Sequence, residues 1–206
     1  QYYSFINKKV ERVVLRSSID PSYYKGNIVK KGFFTIGVVA NINPDKNFEL
    51  LIDIIKNIED KNIRFKIIGK LFGSQKKYFE DKLSNFKEVI HKIEWINDIN
   101  DTKEIMKSFD ILLCTSSNES LPLSIIEALS MSIPVISTNV GDIAYVLSQK
   151  KCGIIVKPFA NHFIKAIYNL KNNQELINIY SKNARDNVIE NFNIKNYKKK
   201  LEKEIL

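Results

Sequence analysis

The chain has 206 residues, 44% hydrophobic and 11% aromatic, which supplies one domain with a buried core and excludes a long disordered polymer. No apolar run approaches the roughly 20 residues of a membrane helix, and the longest, over 33–40, is strand-sized. The net charge of +9 and pI near 9.3 admit nucleic acid, an anionic membrane surface or phosphorylated ligands, yet the lysines are spread along the whole chain without an Arg-rich arm or a nucleic-acid motif.

Residues 1–31 hold a short apolar stretch, Val13-Val14-Leu15, and a turn-like Ser17-Ser18-Ile19-Asp20-Pro21. No signal peptide is visible and no initiator Met opens the chain, so a piece of a longer polypeptide is expected. Residues 33–40 read as a first strand. Over 47–59, Leu50, Leu51, Ile54, Ile55 and Ile58 fall on one stripe, the spacing of an amphipathic helix. A second strand follows at 64–69, an exposed helix at 75–86, a third strand at 89–96 and a short helix at 102–108. The fourth strand, 110–115, is apolar enough to be buried on both faces. A helix over 122–131 takes Pro122 in its first turn. Then come a strand at 134–137, a helix at 142–149, a strand at 153–156 and helices at 159–170 and 174–190. A basic helical tail, 193–206, carries the densest charge run, Lys198-Lys199-Lys200.

Six short strands alternating with helices imply an α/β fold, a Rossmann-like doubly wound parallel sheet with helices on both faces. Ligands in such sheets sit beyond the carboxyl ends of the strands. That rule selects the loops at 41–46, 69–74, 96–98 and 116–123.

The sharpest candidates are Glu119 and Glu127, eight positions apart with Leu121-Pro122-Leu123 between them. A carboxylate accepts paired hydrogen bonds from vicinal hydroxyls, so two on one rim can grip two polyols. The amides of Leu121 and Leu123 lie at a helix start, where unpaired N–H groups and the dipole attract phosphate. Taken alone, the two glutamates equally read as charges on a first helical turn. Lys46, after the first strand, is placed for a diphosphate or is an exposed turn lysine. Gly37 and Gly69 form no GxGxxG, and no Walker A, HExxH or GxSxG occurs. His91 and His162 lie far apart, and Asp98 and Asp101 make no metal dyad, so no metal site is expected. Cys114 and Cys152 form no CxxC and read as reduced structural thiols, with Cys114 buried in its apolar run.

Together these elements resemble the C-terminal domain, one half of the GT-B fold, of family 4 glycosyltransferases. The likeness covers about 33–197. It rests on Ser116-Ser117-Asn118-Glu119-Ser120-Leu121-Pro122-Leu123-Ser124-Ile125-Ile126-Glu127-Ala128-Leu129, then Ile133-Pro134-Val135-Ile136-Ser137-Thr138-Asn139-Val140-Gly141, then Cys152-Gly153-Ile154-Ile155-Val156, in that order and spacing. Ile19-Asp20-Pro21-Ser22-Tyr23-Tyr24 is similar to the family's interdomain linker. The resemblance implies a linker or N-terminal remnant over 1–31, a nucleotide-sugar-binding domain over 32–192, and a tail over 193–206 returning toward an N-terminal acceptor domain.

It also implies roles. Glu119 and Lys46 are the catalytic residues: Glu119 touches the donor sugar near the reacting centre and Lys46 neutralises the diphosphate. Glu127 holds the ribose hydroxyls, and the backbone of Ser120, Leu121, Pro122 and Leu123 faces the sugar and diphosphate. The Trp95-Ile96-Asn97 loop borders the base, so Ile96 and Asn97 join the donor site. Asn41 stands in that site where the family commonly has arginine, so half of the usual Arg/Lys clamp is absent. Ser120, Ser132 and Asn97 stand where glycine is usual.

The implied reaction retains anomeric configuration and uses neither metal nor cofactor. The nucleotide sugar, UDP-linked in the common donor class, is a substrate. The acceptor is a glycan or a lipid-linked sugar bound by the other domain, in bacterial cell-surface polysaccharide or lipopolysaccharide synthesis. This places the protein in the cytoplasm, peripheral on the inner face of the cytoplasmic membrane, where positive charge favours an anionic surface. Nucleic acid is not expected as a partner. Two alternatives stay open on the sequence: a GT-B sugar-nucleotide 2-epimerase, for which no cleft histidines can be placed, and a non-catalytic nucleotide-sugar-binding or scaffolding domain partnering a separate acceptor-binding chain.

Overall fold

The computed structural model describes residues 16–24, 32–41, 43–70, 90–97, 99 and 101–205. Its strands are β1 (Phe34–Val39), β2 (Ile63–Ile68), β3 (Ile93–Ile96), β4 (Ile111–Cys114), β5 (Val135–Thr138) and β6 (Gly153–Val156). The helices, in chain order, are α1 (Phe48–Asn57), α2 (Lys103–Met106), α3 (Leu123–Ser130), α4 (Ile143–Ser148), α5 (Ala160–Lys171), α6 (Gln174–Asn191) and α7 (Ile194–Ile205). All strand pairs are parallel and the order is β3-β2-β1-β4-β5-β6. The chain therefore builds outward from β1 in one direction and from β4 in the other, and the loops leaving these two neighbours diverge to leave a crevice.

Period-two alternation divides the core. Ile111 and Leu113 join Ile36, Phe65 and Ile136 on the face covered by α1 and α5. Leu112 and Val135 point the other way, onto Ile125, Leu129, Ile143 and Phe192 beneath α3, α4 and α6. Helix α1 buries Leu50, Leu51, Ile54 and Ile55, the stripe expected from its spacing. It starts at Asn47, which takes a left-handed φ of 49° and whose side chain accepts from the Leu50 amide (3.3 Å). Asparagine tolerates that conformation because its short amide bonds locally.

Most element ends fall within one or two residues of the sequence pattern, and two differences have a clear physical cause. The third strand is shorter than 89–96, because Ile90–Lys92 form a 3-10 turn in which Lys92 sends its ammonium to the Ile58 carbonyl at the end of α1. Pro122 is the residue before α3 rather than part of its first turn, since its ψ of 129° is extended. The helix expected at 75–86 lies outside the described residues. Ser132, where glycine is usual in the family it resembles, has a left-handed φ of 64°.

Residues before and after the sheet meet. Ile19 donates to the Phe192 carbonyl (3.0 Å) and accepts from the Ile194 amide (2.9 Å), so the segment 16–24 is stitched to the start of α7.

The two thiols differ from the expected pairing of environments. Cys114 closes β4 and is only half-buried, because the strand end opens onto loops. Cys152 is fully buried, and burial pushes its thiol up to about 11. Iodoacetamide at pH 8 is therefore expected to leave Cys152 unmodified in the folded chain and to label it in urea, read by peptide mass spectrometry. Because the fold favours the neutral thiol, its contribution to stability is complete below the unfolded value of about 8.5. It is lost as pH rises toward 11. Labelling of Cys152 in the native chain as fast as in urea would contradict this.

Candidate functional site

The site forms where the order of strands reverses. After β1 the chain closes a 3-10 turn, Pro44–Lys46, that presents Lys46 beyond the sheet. After β4 the loop at 115–122 runs alongside. Thr115 Oγ1 donates to the Lys46 carbonyl (2.9 Å) and the Ser117 amide to the Asp45 carbonyl (2.7 Å), which lock the two loops together. Lys46 Nζ pairs directly with Glu119 Oε1. Ser116 Oγ donates to the same oxygen (2.9 Å), and the Ser116 carbonyl accepts from Thr138 Oγ1 (2.5 Å) at the end of β5. The lysine and glutamate side chains are 21% and 13% exposed, so the pair sits in a polar recess rather than in bulk solvent.

The loop carrying Glu119 rests on a glycine. Gly141, between β5 and α4, has φ +52°, and a Cβ there would stand 2.1 Å from the Ser120 carbonyl oxygen and 2.3 Å from that of Glu119. The adjacent Asp142 amide donates to the Ser120 carbonyl (2.8 Å). Only a residue without a side chain lets these backbones approach so closely.

An open cleft of about 1080 Å³ lies over this edge, and Asn41, Lys46, Glu119, Pro122 and Leu123 line it together. Five of the residues anticipated for the donor site are thus gathered in one concavity. The Asn41 side-chain oxygen accepts from the Lys70 amide (3.0 Å), tying the end of β1 to the end of β2. Ser120 contributes its carbonyl to the Gly141 contact, and Leu121 packs on the apolar core beneath. Ile96 is partly buried against the same core, and Asn97 Oδ1 accepts from Trp95 Nε1 (2.6 Å). Neither Ile96 nor Asn97 lines the cleft.

Glu127, in the second turn of α3, is half-buried and also outside the cleft lining. Its Oε1 accepts from the Tyr24 hydroxyl (2.7 Å). Asp101 adjoins Thr102, which does line the cleft, and accepts from the Tyr23 hydroxyl (2.6 Å). That bond holds the Asp101 carboxyl below the usual range.

Several lining residues were not singled out from the sequence. Lys70 and Thr102 line the cleft, and so does Asn43, whose Oδ1 is buried without a hydrogen-bond partner among the described residues. Lys70 lies two residues beyond the end of β2, so the carboxyl-end rule already pointed at its loop. Tyr24 carried no such signal, being 103 positions from the carboxylate it meets. Among the described residues, no three His, Cys, Asp or Glu side chains gather as a ligand set for a metal ion.

Residues 23–187 match the model of the family described as glycosyl transferases group 1, about four-fifths of the chain. The chain belongs to that family. This group 1 chain is 27% identical over 187 residues to the UDP-Gal:α-D-GlcNAc-diphosphoundecaprenol α-1,3-galactosyltransferase of Escherichia coli, covering 84% of the chain and 47% of the relative. It therefore spans about half the length of that relative. Among solved structures, Anabaena HepE in complex with UDP and glucose superposes with a TM-score of 0.83 at 15% identity, over 93% of this chain and 55% of HepE. The C-terminal domain of the glycosyl transferase group 1 family protein LpcC of Francisella tularensis superposes with a TM-score of 0.75 at 20% identity, over 85% of this chain and 99% of that domain. At such identities the structural likeness establishes the fold. No described helix of the group 1 chain is long and apolar enough to cross a membrane.

Proposed function

We propose that this chain is the donor half of a retaining, metal-independent glycosyltransferase that takes a UDP-linked sugar and serves bacterial cell-surface polysaccharide or lipopolysaccharide synthesis. The observation that carries the reading is the meeting of Lys46 and Glu119 in one cleft at the β1/β4 reversal, beside the first turn of α3. The near-complete match to a separate C-terminal domain and the UDP held by a structural neighbour support it. So does a relative whose name specifies a UDP-galactose donor and a lipid-diphosphate-linked sugar.

In this reading the diphosphate displaces Glu119 as the partner of Lys46, and the amides of the first turn of α3 donate to its oxygens. The bond from the anomeric carbon to the diphosphate then breaks, a bond to the acceptor oxygen forms, and the acceptor proton leaves with the diphosphate. Charge gathers on the leaving group as the sugar becomes oxocarbenium-like, so a fixed cation stabilises the transition state more than the ground state. Glu119, released from Lys46, faces the sugar hydroxyls. A lipid-linked acceptor on a partner domain brings the basic chain to the cytoplasmic face of an anionic membrane.

A thermal-unfolding and calorimetric screen of the chain against UDP, GDP and their sugars tests the donor site. A ligand at one hundred times its Kd stabilises by about 2.7 kcal/mol, a rise of roughly 5–10 °C for a chain of this size. No rise and no heat with any of them would sink the reading.

A further inference from the structure

Tyr24 has both its backbone and its side chain fixed. Its carbonyl accepts from Arg185 Nη1 (3.3 Å) and Ser130 Oγ (3.4 Å). Arg185 Nη1 also donates to the Ser130 carbonyl and to Ser130 Oγ (2.9 Å), which joins α6 to the end of α3. Ser130 lies three residues beyond Glu127 on α3, so the same turn that presents the glutamate also seats the tyrosine. The ring of Tyr24 meets that of Tyr23 edge to face at a centroid distance of 5.0 Å. Tyr23 is itself held by Asp101 and by the Lys103 ammonium 4.0 Å above its ring. From this seat the hydroxyl of Tyr24 donates to Oε1 of Glu127.

We infer that Tyr24 is the positioning residue for Glu127, orienting its carboxylate so that the second oxygen is presented to the vicinal diol of the donor's ribose. This rests on the donor-site reading above and on the ribose role that the family resemblance implies for Glu127, which stands one turn of α3 beyond the cleft-lining Leu123 and Ser124. A diol needs two acceptor positions at fixed spacing, and a carboxylate free to rotate about χ3 offers them only part of the time. A hydrogen bond of 2.7 Å to Oε1 restricts rotation of the group and leaves Oε2, together with the remaining lone pair of Oε1, as acceptors. Burial and the adjacent Glu127 charge raise the Tyr24 hydroxyl well above its ordinary range, so it stays a donor throughout the physiological pH range. Tyr24 reaches α3 from the segment that also pairs with the start of α7, so whatever moves that segment moves the ribose acceptor.

The test is isothermal titration of the whole chain and its Tyr24→Phe variant with UDP and GDP, each beside its 2′,3′-dideoxy counterpart. The wild-type chain is expected to favour the ribose form of its nucleotide by about tenfold or more. Tyr24→Phe is expected to cut that preference to threefold or less and to leave dideoxy affinity unchanged. Glu127→Gln is expected to do the same, and the double variant no more than either alone. A merely structural tyrosine would weaken both nucleotide forms in parallel. If the wild-type chain discriminates and Tyr24→Phe discriminates equally, the positioning role is wrong while the donor site stands. If the wild-type chain binds neither UDP nor GDP, the donor-site reading fails and this inference falls with it.

Discussion

Alanine in place of Lys46 is expected to slow sugar transfer by about a hundredfold or more, while nucleotide diphosphate affinity falls by tenfold or less. Lys46 is the cation at the β1/β4 crevice that contacts Glu119, and the loop geometry holding it is made by backbone bonds from Thr115 and Ser117 that survive the substitution. The fold around it should therefore persist. In the proposed donor complex the amides at the start of α3 also hold the diphosphate in the ground state, so binding is expected to lose only one of several partners. In the transition state the departing oxygen carries growing charge, and the loss is larger. Steady-state transfer by a polypeptide joining this chain to an acceptor-binding half, set beside calorimetric UDP affinity, separates the two terms. Turnover that falls no further than affinity would remove Lys46 from the chemistry.

Gly141→Ala is expected to destabilise the chain by about 2–5 kcal/mol, combining a left-handed backbone penalty of roughly 1–2 kcal/mol with overpacking of roughly 1–3 kcal/mol. The added methyl would fall 2.1 Å and 2.3 Å from the carbonyl oxygens of Ser120 and Glu119, so the loop must move. Its movement carries Glu119 away from Lys46 and Ser116, and nucleotide affinity should fall along with the unfolding temperature. Gly32→Ala is the control, since a Cβ there meets nothing within 4 Å. Differential scanning calorimetry of both variants, with and without nucleotide, reads the result. Equal, small losses in the two variants would show that the Gly141 contact does not hold the loop.

Much of the fold was legible because it depends on local pattern. The stripe Leu50, Leu51, Ile54, Ile55 has the spacing of one helix face, and a short apolar run such as Ile111 to Leu113 suits a strand covered on both faces. The placement of Lys46 after the first strand and Glu119 after the fourth needed only the rule that ligands sit at the carboxyl edge. The entry into the third strand was less legible, since the Lys92 bond to the Ile58 carbonyl is made across the fold. Pro122 sits just before α3 because of its own extended ψ, a backbone choice that composition leaves open.

By itself the sequence determined the alternation of elements, the family and the residue types available for phosphate and hydroxyl recognition, since each is written in short-range spacing. The tertiary structure decided which of those residues share a cavity. It placed Lys46 in contact with Glu119 across 73 positions, set Glu127 apart under Tyr24 across 103, and left Ile96 and Asn97 outside the cleft. It also made Gly141 a support for a loop that its sequence neighbourhood does not mention. These contacts follow from strand order and crossover direction, so no local pattern could report them. Glu119 and Glu127 are thereby divided into two environments, one facing a lysine and one held by a tyrosine.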